Sequence, residues 1–172
     1  MTNIQLPFDS ETISKLNIFE EVRLTGEIYV ARDQAHKRMF DLLDKGESLP
    51  FDITNQTIYY MGPSPAPKGY IIGSCGPTTS ARMDVFAPTL LDLGLKAMIG
   101  KGPRNKDVIT SIVSNKGVYL AAFGGCGALY NSKIIEVETV AFEDLGPEAL
   151  LKLKIKDFPC IVAIDSKGNS VY

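Results

Sequence analysis

Apolar and polar positions change period along the chain, and the changes mark the elements. EVRLTGEIYVA (21–31) alternates and is rich in β-branched and aromatic residues, which predicts a strand. DQAHKRMFDLLDKG switches to a helical period, with apolar residues at 35, 39, 42 and 43. Asp33 is its predicted N-cap and Gly46 its stop. QTIYYMG, YIIGSC (70–75), KAMIG (96–100) and VYLAAF (118–123) predict further strands. So do IEVETVAF (135–142), LLKLKIKD (150–157) and CIVAIDSKGNSVY (160–172), the last with a hairpin turn around Lys167–Gly168–Asn169. SETISKL (10–16) predicts a short helix capped by Ser10. Helices also follow GPTTSARMD, KGPRNKD (ending near Lys116–Gly117) and GGCGALY. Strands alternating with helices predict an α/β domain, and the strand-rich start and finish predict a mixed, partly parallel sheet. MGPSPAPKG (61–69) reads as an exposed loop between strands, so residues 1–172 form one domain.

Three segments repeat one order: apolar strand, Gly-rich turn, helix start. They are IIGSC-GPTTSARMD, AMIG-KGPRNKD and LAAF-GGCGALY. Ligands of α/β sheets bind at the carboxyl ends of strands, where helix N-termini offer free N–H groups and partial positive charge. Two of the three segments add cations there: Arg82 after Thr78, Thr79 and Ser80, and Lys101 and Arg104 around Gly102 and Pro103. Arg grips a carboxylate with two parallel hydrogen bonds and Lys adds a point charge. The set suits a ligand with two anionic groups. In YVARDQAHKRMF (29–40), His36 is a candidate proton carrier close to Arg32 and Asp33. None of the turns matches GxxxxGK[ST] or GxGxxG.

Composition narrows the partners. With 45% hydrophobic and 22% charged residues among 172, the chain can bury a core without disulfides or metals. A net charge of -2 gives no basic stripe for nucleic acid. There is no run of about eighteen apolar residues to span a membrane and no signal-peptide pattern at the N-terminus, so the cytoplasm is the expected location. The 3 cysteines, Cys75, Cys126 and Cys160, are widely spaced, and with 1 histidine they are poor material for a metal site.

TGEIYVARDQAHKRM, GPTTSARMD, IGKGPR, GGCGAL and VAFEDLGPEALLKLKIKDFPCIVAIDSKGN together resemble the C-terminal domain of class I fumarate hydratases. In the two-subunit form of those enzymes this domain is a separate chain, the β subunit. The resemblance runs from about residue 6 to residue 172, in order and with compatible spacing. It implies a swivelling β/β/α domain and reversible hydration of fumarate to L-malate. It also implies a [4Fe–4S] cluster whose three cysteines lie in the partner α subunit, with one iron acting as a Lewis acid on substrate; this chain would bind no cofactor itself. By position, Arg82 and Arg104 would hold the substrate carboxylates, with Lys101 beside them. Thr78, Thr79, Gly124 and Gly125 would shape the pocket. Arg32, Asp33 and His36 match the RDxAH segment and would line the pocket or the domain interface. Many members read KGNR where this chain has Pro103, which removes one backbone N–H. An isolated chain can also pair as a homodimer through the face that meets the α subunit.

Two alternatives stay open. The β subunit of L-tartrate dehydratase shares RDxAH and GPTTS, although that branch often lacks an Arg in the place of Arg104. A non-catalytic anion- or nucleotide-binding module would use the same Gly-rich turns.

Overall fold

The computed structural model describes residues 1–123 and 126–172. The chain runs β1 (Thr2–Gln5), α1 (Ser10–Lys15), β2 (Glu21–Val30), α2 (Asp33–Asp44) and β3 (Thr57–Tyr59). A 3-10 turn (Ser80–Met83), α3 (Ala87–Asp92), β4 (Ala97–Gly100), α4 (Lys106–Asn115) and β5 (Val118–Ala121) follow. It closes with α5 (Gly127–Asn131), β6 (Ile134–Ala141), a second 3-10 turn (Glu143–Glu148) and β7 (Leu150–Ile164).

β1 to β5 lie side by side in parallel pairs. β7 runs antiparallel to β2, β5 and β6. Because β7 meets both β2 and β5, the circuit β2–β3–β4–β5–β7 closes into a five-stranded barrel. Closure leaves none of these five strands as an edge, and β1 and β6 remain as edge strands beside the barrel. The sheet is mixed and partly parallel with helices beside it, as the alternating pattern predicts.

Strand alternation feeds two apolar layers. Tyr59, Ala97, Ile99, Val118 and Leu120 face the barrel interior with Val22, Leu24, Leu153 and Phe158. Ile58, Tyr60, Met98 and Tyr119 face outward, against Met39 of α2, Leu90 and Leu91 of α3, and Val108 and Ile112 of α4. β3, β4 and β5 are buried on both faces, so they read as continuous apolar runs.

Four expectations change. Residues 70–75 form a loop, not a strand. Its polar groups find side chains and α5 instead: Cys75 N–H reaches Gly127 O at 3.2 Å, Tyr59 donates to Cys75 O at 2.6 Å, and Asn131 Nδ2 donates to the Ile72 and Gly73 carbonyls. The segments 150–157 and 160–172 share one strand to Ile164. At the junction Asp157 has φ 53 and donates its N–H to Thr25 Oγ1 at 3.1 Å, opposite a register shift between Leu24 and Gly26. The bulge lets Pro159 enter the ladder. β1 was not expected. The N-cap of α1 is Asp9, which accepts from Thr12 N–H at 2.6 Å, rather than Ser10.

Candidate functional site

The loops after β2, β3 and β4 meet at one end of the parallel strands. Thr78 N–H donates to Tyr60 O at 2.8 Å, Thr79 bridges Lys101 in parallel, and Ser80 N–H donates to Lys101 O at 3.0 Å. The segment 78–80 therefore extends the sheet beyond β3 and β4. Two glycines permit the approach. A Cβ on Gly100 would stand 1.9 Å from Ser80 Oγ, and one on Gly62 would stand 2.3 Å from Arg32 Nη1. The Arg32 guanidinium thus lies against the chain that leaves β3.

This end carries an open cationic face. Lys101, Thr79 and Arg82 are exposed, while Arg32 and Thr78 are half-buried. Arg82 meets Asp33 through Nε (3.1 Å to Oδ1) and Nη2 (3.2 Å to Oδ2). Burial works to raise the Asp33 carboxyl, but the Arg82 hydrogen bond and charge outweigh it and hold the group below the usual carboxylate range. The N-cap of α2 is Arg32 and not Asp33; Asp33 is the first helical residue, where an acid complements the helix dipole. Arg32 Nε is buried without a hydrogen-bond partner, 3.8 Å from Glu148 Oε1. The Arg32 side chain as a whole is 30% exposed, so an oxygen ligand would meet the exposed part of the guanidinium and not Nε.

Two predicted site residues do not reach this face. Arg104 has a side chain with 0% exposure, so it cannot meet a ligand on the open face. Its Nε donates to Asp84 Oδ1 at 2.5 Å and its Nη2 to Tyr60 OH at 3.2 Å. Its guanidinium carbon lies 5.2 Å from the Tyr60 ring centroid and 4.9 Å from that of Tyr119. Burial opposes its charge, yet Tyr60, Asp84 and Tyr119 more than offset this and raise its pKa. His36 is fully buried, stacked on Phe86 with ring centroids 5.2 Å apart. Its Nδ1 lies 2.7 Å from Arg32 O, an acceptor, so Nδ1 carries the hydrogen. Burial pulls its pKa down to about 4. His36 is therefore neutral at neutral pH and secures the Arg32 carbonyl; it is not placed as a proton carrier.

Gly124 and Gly125 lie outside the described residues. The neighbouring Cys126 caps α5. Cys75 and Cys160 are buried and Cys126 is half-buried. Burial pushes the Cys75 thiol up to about 12 and raises Cys160 as well. Among the described residues no group of three or more His, Cys, Asp or Glu converges on a metal position. No helix among them is long and apolar enough to cross a membrane.

Asp84, Tyr60, Tyr119, Ser80, Gly62 and Glu148 were not singled out from the sequence. The acid of SARMD and the polar rings within the apolar runs TIYYM and VYLAA were signals for a buried polar network. Spacing does not reveal that Asp84 and Arg104, 20 positions apart, are partners.

The whole chain, residues 1–172, matches the family model described as Fumarase C-terminus. It is 40% identical over 166 residues to the putative L(+)-tartrate dehydratase subunit beta of Methanocaldococcus jannaschii, covering 93% of this chain and 85% of that protein. It is 39% identical over 162 residues to the anaerobic class I fumarate hydratase of Escherichia coli K12, covering 93% of this chain and 30% of that protein. It is 37% identical over 174 residues to fumarate hydratase 2 of Leishmania major, covering 99% of this chain and 31% of that protein. The chain thus spans about a third of the length of these fumarate hydratases. The strand-end loops, the cationic face and this match along the full length lead to one conclusion: the chain belongs to the fumarase C-terminus family.

Proposed function

We propose that this chain supplies the carboxylate-holding face of a two-part hydro-lyase that interconverts fumarate and L-malate. The observation that carries the reading is the open face of Arg32, Arg82 and Lys101, with Thr78 and Thr79 between them, on a chain of the fumarase C-terminus family. Fumarate and malate are four-carbon dicarboxylates, and cations from three separate loops suit two carboxylates held at once. Hydration and its reverse build negative charge next to a carboxylate as the C3 proton is lost or gained. Arg and Lys fixed at that carboxylate stabilise the charge where it develops.

Arg82 can exchange Asp33 for a substrate carboxylate at small cost, because an exposed ion pair contributes only about 0–1 kcal/mol. Arg32 can offer the exposed part of its guanidinium. The face is exposed, so a second surface is needed to exclude water, and we assign that role to an α subunit. A swivelling motion of this domain against it would close the site. An iron–sulfur cluster would belong to that partner.

The test is anaerobic co-expression with the cognate α subunit, then assays on fumarate, L-malate and both tartrates. Turnover of fumarate and malate is expected. Turnover of tartrate without malate would move the chain to the activity named for its Methanocaldococcus relative. No turnover of any of the four would overturn the reading.

A further inference from the structure

Two segments carry the exposed cations of the face: Ser80–Asp84 bears Arg82, and Lys101–Asn105 bears Lys101. Beneath the surface five hydrogen bonds tie them together, two of them through Tyr119. Arg104 Nε donates to Asp84 Oδ1 at 2.5 Å, and Asn105 N–H donates to Asp84 Oδ2 at 2.8 Å. Ser80 N–H donates to Lys101 O at 3.0 Å. Tyr119 OH donates to Gly102 O at 2.8 Å and lies 2.7 Å from Ser80 Oγ. Since the single Tyr119 hydrogen goes to Gly102 O, the Ser80 hydroxyl donates to Tyr119.

We propose that Asp84 and Arg104 are positioning residues: their buried pair, clamped between Tyr60 and Tyr119, fixes the spacing of Arg82 and Lys101. An apolar filler would occupy the same space at no greater cost in stability. What the pair adds is direction. The planar guanidinium has one orientation between the two rings, and both carboxylate oxygens of Asp84 are committed to the 101–105 segment. Arg104 touches no substrate; it acts through the cations above it. The kinetic side of the proposal rests on the function proposed above, while its geometric side does not.

The test uses the double variant Asp84→Asn/Arg104→Met. It removes both charges, so no buried charge is left unpaired, and it keeps an acceptor for Asn105 N–H. In the 172-residue chain, amide hydrogen exchange at Ser80 and Asn105 should accelerate about tenfold or more, while Thr12 in α1 is unchanged. In the enzyme assembled with its α subunit, kcat/KM for fumarate should fall on the order of 10–100-fold. Adding Arg82→Ala should then cost no more than Arg82→Ala alone, since both act on one unit.

Unchanged exchange together with unchanged kcat/KM overturns the proposal. So do losses that multiply with Arg82→Ala, because Arg104 would then act independently. If the double variant does not fold, Tyr119→Phe cuts the Gly102 and Ser80 ties alone and is judged by the same outcomes. If the unmodified enzyme turns over none of the four diacids, the functional reading fails and the exchange rates alone decide the positioning claim.

Discussion

On the open face the Arg82 side chain is 48% exposed and meets Asp33 at 3.1 Å; beneath it the Arg104 side chain is 0% exposed and meets Asp84 at 2.5 Å. Both are arginines of loops that follow parallel strands of the sheet, and both have one carboxylate partner. Solvent separates their roles. Water screens the first pair, so either partner can leave it cheaply for a new ligand. The second pair has no water to fall back on, and losing one member strands the other charge in the interior. A cation that must bind and release substrate belongs to the first kind, and one that must hold the frame belongs to the second.

The largest test of this contrast is Arg104→Ala. It should destabilise the chain by about 3–5 kcal/mol in urea unfolding, because Asp84 is left charged and unpaired. A loss under about 1 kcal/mol would place Arg104 with the exposed pairs and break the contrast.

The next effect concerns His36, which shares the buried layer. Its folded pKa is about 4, against 6.5 for the free side chain. As pH falls below 6.5 the unfolded chain takes up a proton that the folded chain refuses until about pH 4. Its contribution is thus full above pH 6.5 and is lost on the way down to about 4, by roughly 3 kcal/mol. Urea midpoints across that window should show the slope, and His36→Leu should flatten it.

Tyr119→Phe should cost about 1–3 kcal/mol, because the ring stays in place but the buried Ser80 hydroxyl and the Gly102 carbonyl lose their partner. Asp33→Asn is expected to be the smallest change, below about 1 kcal/mol, as it only loosens an exposed pair. A larger loss in urea unfolding would show that Asp33 and Arg82 carry structure.

The sequence revealed the parts of the molecule that depend on local pattern. β2 follows from its β-branched and aromatic content, β4 and β5 from apolar runs, and α2 from its period. Lys101 could be found because β4, a turn and a cation lie within one short segment; Thr78, Thr79 and Arg82 were found by the same pattern although residues 70–75 before them form a loop. What stayed hidden depends on distant partners. Residues 70–75 have strand composition but bond to Tyr59, Gly127 and Asn131 instead of a neighbouring strand. β7 continues past Pro159 because a bulge opposite Thr25 absorbs the irregularity. Arg104 and Lys101 are near neighbours in one motif with the same charge, and only packing against Tyr60 and Tyr119 sends one inward. His36 resembles a titrating base until its burial under Phe86 is known.

The most direct test sets Arg82→Ala against the unmodified chain, each assembled anaerobically with the α subunit. It reads kcat/KM for fumarate and the urea midpoint on the same samples. The account predicts that turnover falls by about 100-fold or more, as for loss of a group that orients and stabilises reacting charge, while the midpoint barely moves. Turnover retained in the variant, or lost only together with its folded structure, would contradict it.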